Sequence, residues 1–338
     1  MSAFTSTVYY GMRHSSIKII VVSDTHLGLE YPQKSQNRAQ YRGDDFFTNF
    51  AHVCNHAIAR KADLLIHCGD VFDRSKPPDI VVDKAFDIIL TVANAGIQVA
   101  VIPGNHERSW LPRHLFHAHD LLHVFYEPSI LTCADIPVQI CGIPNIRHKA
   151  RTRFADALKN CGSPQRDNYL NILATHHMFD ASVAGPGRQV FFNRPDSINT
   201  GSIPPYYDIV FSGHMHRFQQ LKTASGTPVI FPGSVERTSA AEWHETKGFL
   251  ECIFTGDNPT YRLSQLVFCE LPTKPMIHWF IKARSFSETE LIDYIKREMS
   301  KMPSEAIIGL QFDAPLADPD LERKIYQLAG QKFRLRIR

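Results

Sequence analysis

The sequence predicts a layered α/β domain followed by a small α+β domain. Two observations carry that prediction. Apolar strands alternate with helix-periodic stretches in a βαβαβ pattern up to residue 107. Past a proline-containing linker at 271–275, a shorter strand–helix alternation closes the chain. A third observation gives the prediction chemical content: five of the expected strands finish in Asp, Asn or His, and open α/β sheets place their sites at such ends.

The chain has 338 residues, 43% of them hydrophobic and 21% charged, which is ordinary for a globular protein with a sizeable core. A net charge of +3 does not announce a nucleic-acid binder, so any such binding rests on a local patch. Seven cysteines without a C-x-x-C pair argue against a disulfide framework and for a reducing compartment. No run approaches a membrane span, and residues 1–16 lack the basic start and apolar stretch of a secretory signal. They read as a flexible leader in which Met12 competes with Met1 as the start, and a cytoplasmic protein is expected.

Ile17 to Ser23 is continuous and β-branched, as in a strand buried on both faces, and it ends in Asp24-Thr25-His26. Strand alternation would point Asp24 and His26 to one side. Phe46, Phe47, Phe50, Val53, Cys54, Ala57 and Ile58 recur at helical spacing after the acids Asp44 and Asp45. The next strand, at 63–66, runs into HCGDVFDR, residues 67–74, which contains Asp70. A second helix carries Val81, Val82, Ala85, Phe86, Ile89 and Leu90, and stops at Gly96. A strand at 98–102 leads to Asn105 and His106. Strands at 138–142, 171–174 and 207–212 follow, the last two ending in His176-His177 and in Gly213-His214-Met215-His216. The Gly/Pro-rich stretch 180–205 is long for a connector and is a candidate substrate loop. Segments 219–222, 228–231, 247–254 and 261–268 read as an antiparallel flank. In 271–338, strands at 276–283, 306–312 and 332–338 alternate with helices opened by the capping box Ser287-Glu288-Thr289-Glu290 and by Pro319.

One carboxylate after a strand is an ordinary turn. Five strand ends supplying imidazole, carboxylate and amide make a metal site, with donors suited to Mn, Fe, Zn or Mg. The set is large enough for two ions, with Asp70 the central candidate to bridge them. Two ions about 3.5–4 Å apart clamp a phosphate and lower the pKa of a shared water. His106 is then free to act as acid or phosphate contact, and Asp73 to orient it.

The motifs SDTH, GDVFDR, GNHE, THH and GHMH, running in that order to residue 216, resemble the signatures of the calcineurin-like metallophosphoesterases. That resemblance implies a four-layer αββα sandwich of two mixed sheets. It implies one ion on Asp24, His26, Asp70 and His216, and another on Asp70, Asn105, His176 and His214. His106 is the catalytic histidine and Asp73 its partner. GDVFDRSKPP and the stretch FPGSVERTSAAEWHETKGF, residues 231–249, are further similar to SbcD-type repair nucleases and their archaeal and eukaryal counterparts. The likeness implies Mn²⁺-dependent 3′→5′ exonuclease action on duplex DNA and endonuclease action on single strands. It also implies a nuclease domain at 17–270, a capping and DNA-binding domain at 271–338, a homodimer, and an SbcC-type coiled-coil ATPase partner. Two departures accompany it. Glu107 stands where Asp is usual, and the helical tail that grips the ATPase is expected to be absent. Arg74 and Arg237 are the candidate phosphate and DNA contacts. The plainer reading of His52, His56 and His67 is core or surface histidine. For the basic run 147–153 it is a solvated helix face, and for Arg334, Arg336 and Arg338 edge protection. Two rival functions remain: action on another phosphoester, a cyclic nucleotide or phosphoprotein, and a catalytically idle DNA-binding protein.

Overall fold

The computed structural model describes residues 16–29, 43–107, 111–112, 119–164, 168–184, 189–256, 261–303, 306–313, 315–316, 319–329 and 334–337. The expected leader lies outside them except for Ser16, which begins the first strand.

In chain order the elements are β1 (Ser16–Val22), α1 (Gly43–Ala59), β2 (Leu64–His67), α2 (Asp79–Asn94), β3 (Gln98–Val101), β4 (Leu122–Val124), β5 (Ser129–Thr132), β6 (Val138–Ile143), α3 (Ala150–Cys161) and β7 (Leu170–Thr175). Four two-residue strands follow: β8 (Met178–Phe179), β9 (Val183–Ala184), β10 (Gln189–Val190) and β11 (Ser197–Ile198). Then come β12 (Ile209–Ser212), β13 (Gln219–Lys222), β14 (Pro228–Phe231), β15 (Gly248–Thr255) and β16 (Arg262–Glu270). The chain closes with β17 (Met276–Ile281), α4 (Glu288–Met299), β18 (Ile307–Phe312), α5 (Pro319–Ala329) and β19 (Arg334–Ile337).

Two six-stranded mixed sheets dominate, in the orders β16-β15-β1-β2-β3-β4 and β13-β14-β12-β7-β6-β5. Strand alternation makes each sheet two-faced. Ile17, Ile19, Val21, Leu64 and Ile66 of the first sheet share one core with Ile140, Ile172, Ile209, Phe211 and Ile230 of the second, so the inner faces pack together. The other face of the first sheet, with Ile20, Val22, Leu65 and Val99, packs on Phe46, Phe50 and Val53 of α1 and Phe86 and Ile89 of α2. The outer face of the second sheet, with Leu173, Val210 and Phe231, packs on Phe154 and Leu158 of α3. The central strands are therefore covered on both sides, which is why they read as uninterrupted apolar runs.

The sequence expectation of one antiparallel flank divides in the structure. β13 pairs antiparallel with β14 in the second sheet, whereas β15 runs antiparallel to β1 and to β16 in the first. The stretch 180–205 is also no plain loop. It contains β9, β10 and β11, and Arg151 Nη1 donates to both oxygens of Asp180 at 3.0 and 2.9 Å while Nη2 donates to Asn193 Oδ1 at 2.9 Å. One of the basic-run arginines is thus a structural tie.

Beyond residue 271, β17, β18 and β19 pair in parallel, with α4 and α5 as the crossovers. This βαβαβ unit is all-parallel, which corrects the expected α+β arrangement. Strand patterning marks where strands lie and says nothing about which way their partners run. Leu291, Ile295 and Ile325 of its helices pack with Ile308 and Leu310 in a core of their own. The capping box forms as expected, with Ser287 N donating to Glu290 Oε2 at 2.8 Å. Met276 and Ile307 join the outer core of the first sheet, and Lys274 Nζ pairs with Asp45 at 2.9 Å.

Glu251 on β15 accepts from Arg60 Nη2 at 2.7 Å and lies 2.8 Å from His56 Nε2, both on or just after α1. The Arg60 guanidinium, with help from His56, overcomes burial and holds the carboxyl down at about 2. A carboxyl lowered by folding contributes stability above its unfolded value of 4.5 and loses it as pH falls from there toward 2. The difference in urea midpoint between the unaltered chain and Glu251→Gln is therefore expected to be full at pH 6 and to shrink through that window. A difference that does not change with pH would contradict the assignment.

Candidate metal centre

Every sequence-predicted ligand follows the carboxyl end of a parallel strand: Asp24 and His26 after β1, Asp70 after β2, Asn105 after β3, His176 after β7, and His214 and His216 after β12. β1, β2 and β3 are neighbours in the first sheet, and β7 and β12 are neighbours in the second. Face-to-face packing brings the two sets of strand ends into one cleft. His214 N donates to Asp24 Oδ2 at 3.0 Å, tying one sheet's loop to the other's.

The local backbone is unusual. Asp24, His26, Asp70 and His214 have φ of 52°, 42°, 53° and 76°. Left-handed backbone costs a residue other than glycine on the order of 1 kcal/mol, less for Asp and His than for bulkier side chains. Asp24 and His26 therefore do not meet through strand alternation. Both lie past the end of β1, held by Asp24 N donating to Gly69 O at 2.9 Å and His26 N to Asp70 O at 3.0 Å. The motif glycines make room: a Cβ on Gly104 would overlap Asp70 Oδ1, and one on Gly213 would overlap Cys68 O.

Most of the predicted ligands fall into two donor clusters, and a third group in the same cleft, His26, Asp70 and His106, overlaps both. Asp24, His26 and His216 form one, and Asp70, His176 and His214 another, their ligand atoms within 4.8 Å of one another in each group. Asp70 lies between them, with Oδ2 3.3 Å from His176 Nε2 and 3.9 Å from His26 Nε2. Asn105 Oδ1 sits 3.0 Å from His176 Nε2 and 2.8 Å from His214 Nδ1.

The donor chemistry calls for cations. His176 Nδ1 donates to Cys68 O at 2.7 Å, and Nε2 faces two further acceptors, Asp70 Oδ2 and Asn105 Oδ1. A proton or a metal ion on Nε2 satisfies them. Burial opposes a charge on His176, but the Asp70 carboxylate outweighs it and lifts the imidazole to about 10. In the other cluster, His26 Nε2 and His216 Nε2 face each other at 3.1 Å, while His26 Nδ1 is buried without a hydrogen-bond partner. Burial pushes His26 well below its usual range and His214 down to about 4, so neither competes for protons with a metal near neutral pH. Burial raises Asp24. It also works against ionisation of Asp70, where the imidazoles of His176, His26 and His106 prevail and hold the carboxyl far below the usual range. The residues fit two divalent ions.

His106 stands beside this set, 38% exposed, its Nε2 3.9 Å from Asp70 Oδ2. Its Nδ1 donates at 2.5 Å to the main-chain carbonyl of Asp73. The expected partnership with Asp73 thus runs through the backbone in this structure, not through the carboxylate. Arg74 is 55% exposed and 4.0 Å from Asp73 Oδ2, so a local acid already pairs with the candidate phosphate contact. Arg237 is tied inward, with Nε on Glu245 O at 3.0 Å and Nη1 on Lys274 O at 2.8 Å. That geometry makes Arg237 a brace for the linker and does not favour the expected DNA contact.

His177 is not part of either cluster. Its Nε2 accepts from Ile146 N at 2.8 Å and its Nδ1 meets Thr175 Oγ1 at 2.7 Å, which leaves no free nitrogen. His67 is likewise enclosed, with Nε2 3.0 Å from Thr25 Oγ1, and burial drives it down to about 3. Glu107 braces the centre by accepting from Phe72 N at 2.8 Å and Gly104 N at 2.9 Å. Sequence reasoning missed Glu242, whose Oε1 lies 3.2 Å from His216 Nδ1.

The family model for calcineurin-like phosphoesterases matches residues 17–218, more than half of the chain. This chain is a calcineurin-like phosphoesterase. Among curated relatives, the phosphoesterase is 26% identical over 260 residues to the DNA double-strand break repair protein Mre11 of Sulfurisphaera tokodaii, covering 73% of this chain and 62% of that protein. It is 24% identical over 242 residues to the D component of the nuclease SbcCD of Escherichia coli, covering 60% of this chain and 57% of that protein. The chain thus spans about three-fifths of the length of these relatives. Among solved structures it is similar to a dimetal phosphatase from Danio rerio at 12% identity and a TM-score of 0.45, covering 75% of this chain and 95% of that one. No helix among the described residues is long and apolar enough to cross a membrane.

Proposed function

We propose that this phosphoesterase is a two-metal phosphodiesterase acting on DNA, an exonuclease from 3′ ends and an endonuclease on single strands. The observation that carries the proposal is the placement of Asp70 between two His/Asp clusters in one cleft. DNA as substrate is drawn from the distant likeness to Mre11 and to the SbcCD component.

Asp24, His26, Asp70 and His216 would hold one divalent ion, and Asp70, Asn105, His176 and His214 the other, with Mn²⁺ the expected metal. Bound there, the ions would polarise the phosphate and lower the pKa of a shared water. The chain's own residues supply the rest. The Asp73 carbonyl fixes His106 Nδ1–H, turning Nε2 toward the cleft. In its protonated form His106 hands a proton from Nε2 to the leaving oxygen, which departs as a hydroxyl. The same reading makes the working unit a homodimer and an SbcC-type ATPase the partner to test for.

The test is cleavage of 5′-labelled duplex DNA in Mn²⁺, Mg²⁺ and EDTA, with a cyclic nucleotide and a chromogenic phosphodiester in parallel. Mn²⁺-dependent shortening from the 3′ end, lost in EDTA, is expected. Hydrolysis of the small diesters with DNA left intact would retain the phosphodiesterase and discard the substrate. No turnover of any of them while both ions are bound would favour the idle DNA-binding protein.

A further inference from the structure

The stretch 231–249 holds more buried charge than the site description uses. Lys247 is fully buried, and its Nζ spends all three donors: on Glu242 Oε2 at 2.6 Å, Glu245 Oε2 at 2.9 Å and the His216 carbonyl at 2.9 Å. Burying an ammonium is costly unless each proton is answered, and here one cation grips both the backbone of His216 and the carboxylate behind its ring. Glu242 is saturated in turn. Oε1 accepts from His216 Nδ1 at 3.2 Å, Thr238 Oγ1 at 2.6 Å and Ser239 Oγ at 3.2 Å, and Oε2 accepts from Thr238 N at 3.3 Å.

We propose that Glu242, clamped by Lys247, is the positioning residue for His216, fixing its Nδ1–H form and presenting Nε2 to the ion shared with Asp24 and His26. The inference rests on the two-ion reading above. The two clusters differ in what stands behind their imidazoles. His176 is oriented by a neutral carbonyl, Cys68 O, whereas His216 Nδ1 is shared between the Glu242 carboxylate at 3.2 Å and the Thr238 hydroxyl at 3.1 Å, which itself donates to Glu242. A carboxylate behind a ligating imidazole raises its basicity and holds the ring, and loss of such a partner typically costs about 10–100-fold in metal affinity. The effect of Glu242 should therefore fall on one ion alone.

The experiment is Mn²⁺ titration of the full chain by calorimetry. The unaltered chain is expected to take up two ions in separable steps. Glu242→Gln, close to isosteric, should weaken one step about 10–100-fold and leave the other within a few-fold. The weakened step should be the one that persists in His176→Ala. Lys247→Met should weaken the same step, and Glu242→Gln carries the test if Lys247→Met does not fold. A urea melt of the metal-free variants separates positioning from stability, because a purely structural loss lowers the midpoint and weakens both steps together. Equal weakening of both steps, or of neither, in Glu242→Gln overturns the proposal while the two-ion reading stands. Failure of the unaltered chain to bind Mn²⁺ overturns both.

Discussion

Asp70→Ala is expected to abolish cleavage, by at least roughly 10³-fold, and to reduce bound Mn²⁺ from two ions to fewer than one. The reasoning is geometric. Asp70 Oδ2 is the carboxylate oxygen within reach of both His176 and His26, so its loss removes negative charge from both clusters at once. That ion would then be left with Asn105, His176 and His214, all neutral donors, too little to hold a dication there. Asp70→Asn separates charge from shape: it preserves an oxygen for the hydrogen bond from His106 N, 2.9 Å in the structure, while removing the charge. Both variants should lose metal, and Asp70→Asn should keep the fold more fully because Asn tolerates the left-handed backbone that Ala resists. Atomic absorption on the dialysed protein checks the first point and circular dichroism the second. Two ions retained by Asp70→Ala would falsify the bridging role.

The second large effect is expected at His106. His106→Asn should bind both ions with unchanged affinity yet lower turnover by about 10²–10⁴-fold, the usual range for a lost general acid. The asymmetry follows from position. His106 is part-exposed, with Nε2 3.9 Å from Asp70 Oδ2, while its Nδ1 is occupied by the Asp73 carbonyl. A substrate with a far better leaving group, such as a nitrophenyl diester, needs less help from an acid and should lose less. Equal losses on DNA and on the activated diester would argue against proton donation. Asp73→Ala should be mild by comparison, since the carbonyl that holds His106 is present whatever the side chain.

The parts of the molecule that read well from sequence are those whose physics is local. Ile19 to Val22 and Leu64 to Ile66 are apolar on both faces because each sheet is covered on both sides, so their boundaries and buried setting were visible in composition. The residues brought into the cleft were legible because Asp, Asn and His recur after parallel strands, whichever sheet the strand joins. What stayed hidden depends on partners. The segments 122–124 and 129–132 are too short and mixed in character to stand out as strands. The direction of β18 beside β17 has no local signature. Asp73 was chosen for its carboxylate, while the contact belongs to its backbone, which any residue would supply. Glu242 escaped notice because it follows no strand. The available signal was three acids at 236, 242 and 245 close to Lys247, in a stretch that leads directly on from the last strand of the second sheet.

The pairing of β1 with β15 also has a consequence in time. Ser23 Oγ bonds to Gly233 O across 210 positions of sequence, and the partner strand of β1 is translated after that. At ~5–20 residues per second, β1 waits roughly 10–40 s on the ribosome with one edge unpaired. Such an edge is open to the wrong partner, another nascent chain included. Over the same interval Asp24 and Asp70 exist without His214 and His216, and the Glu242–Lys247 pair comes later still. A nascent chain that has not yet reached His216 lacks a donor from each of the two clusters or from the first of them, so the centre is assembled only once the second sheet's strand ends have been made.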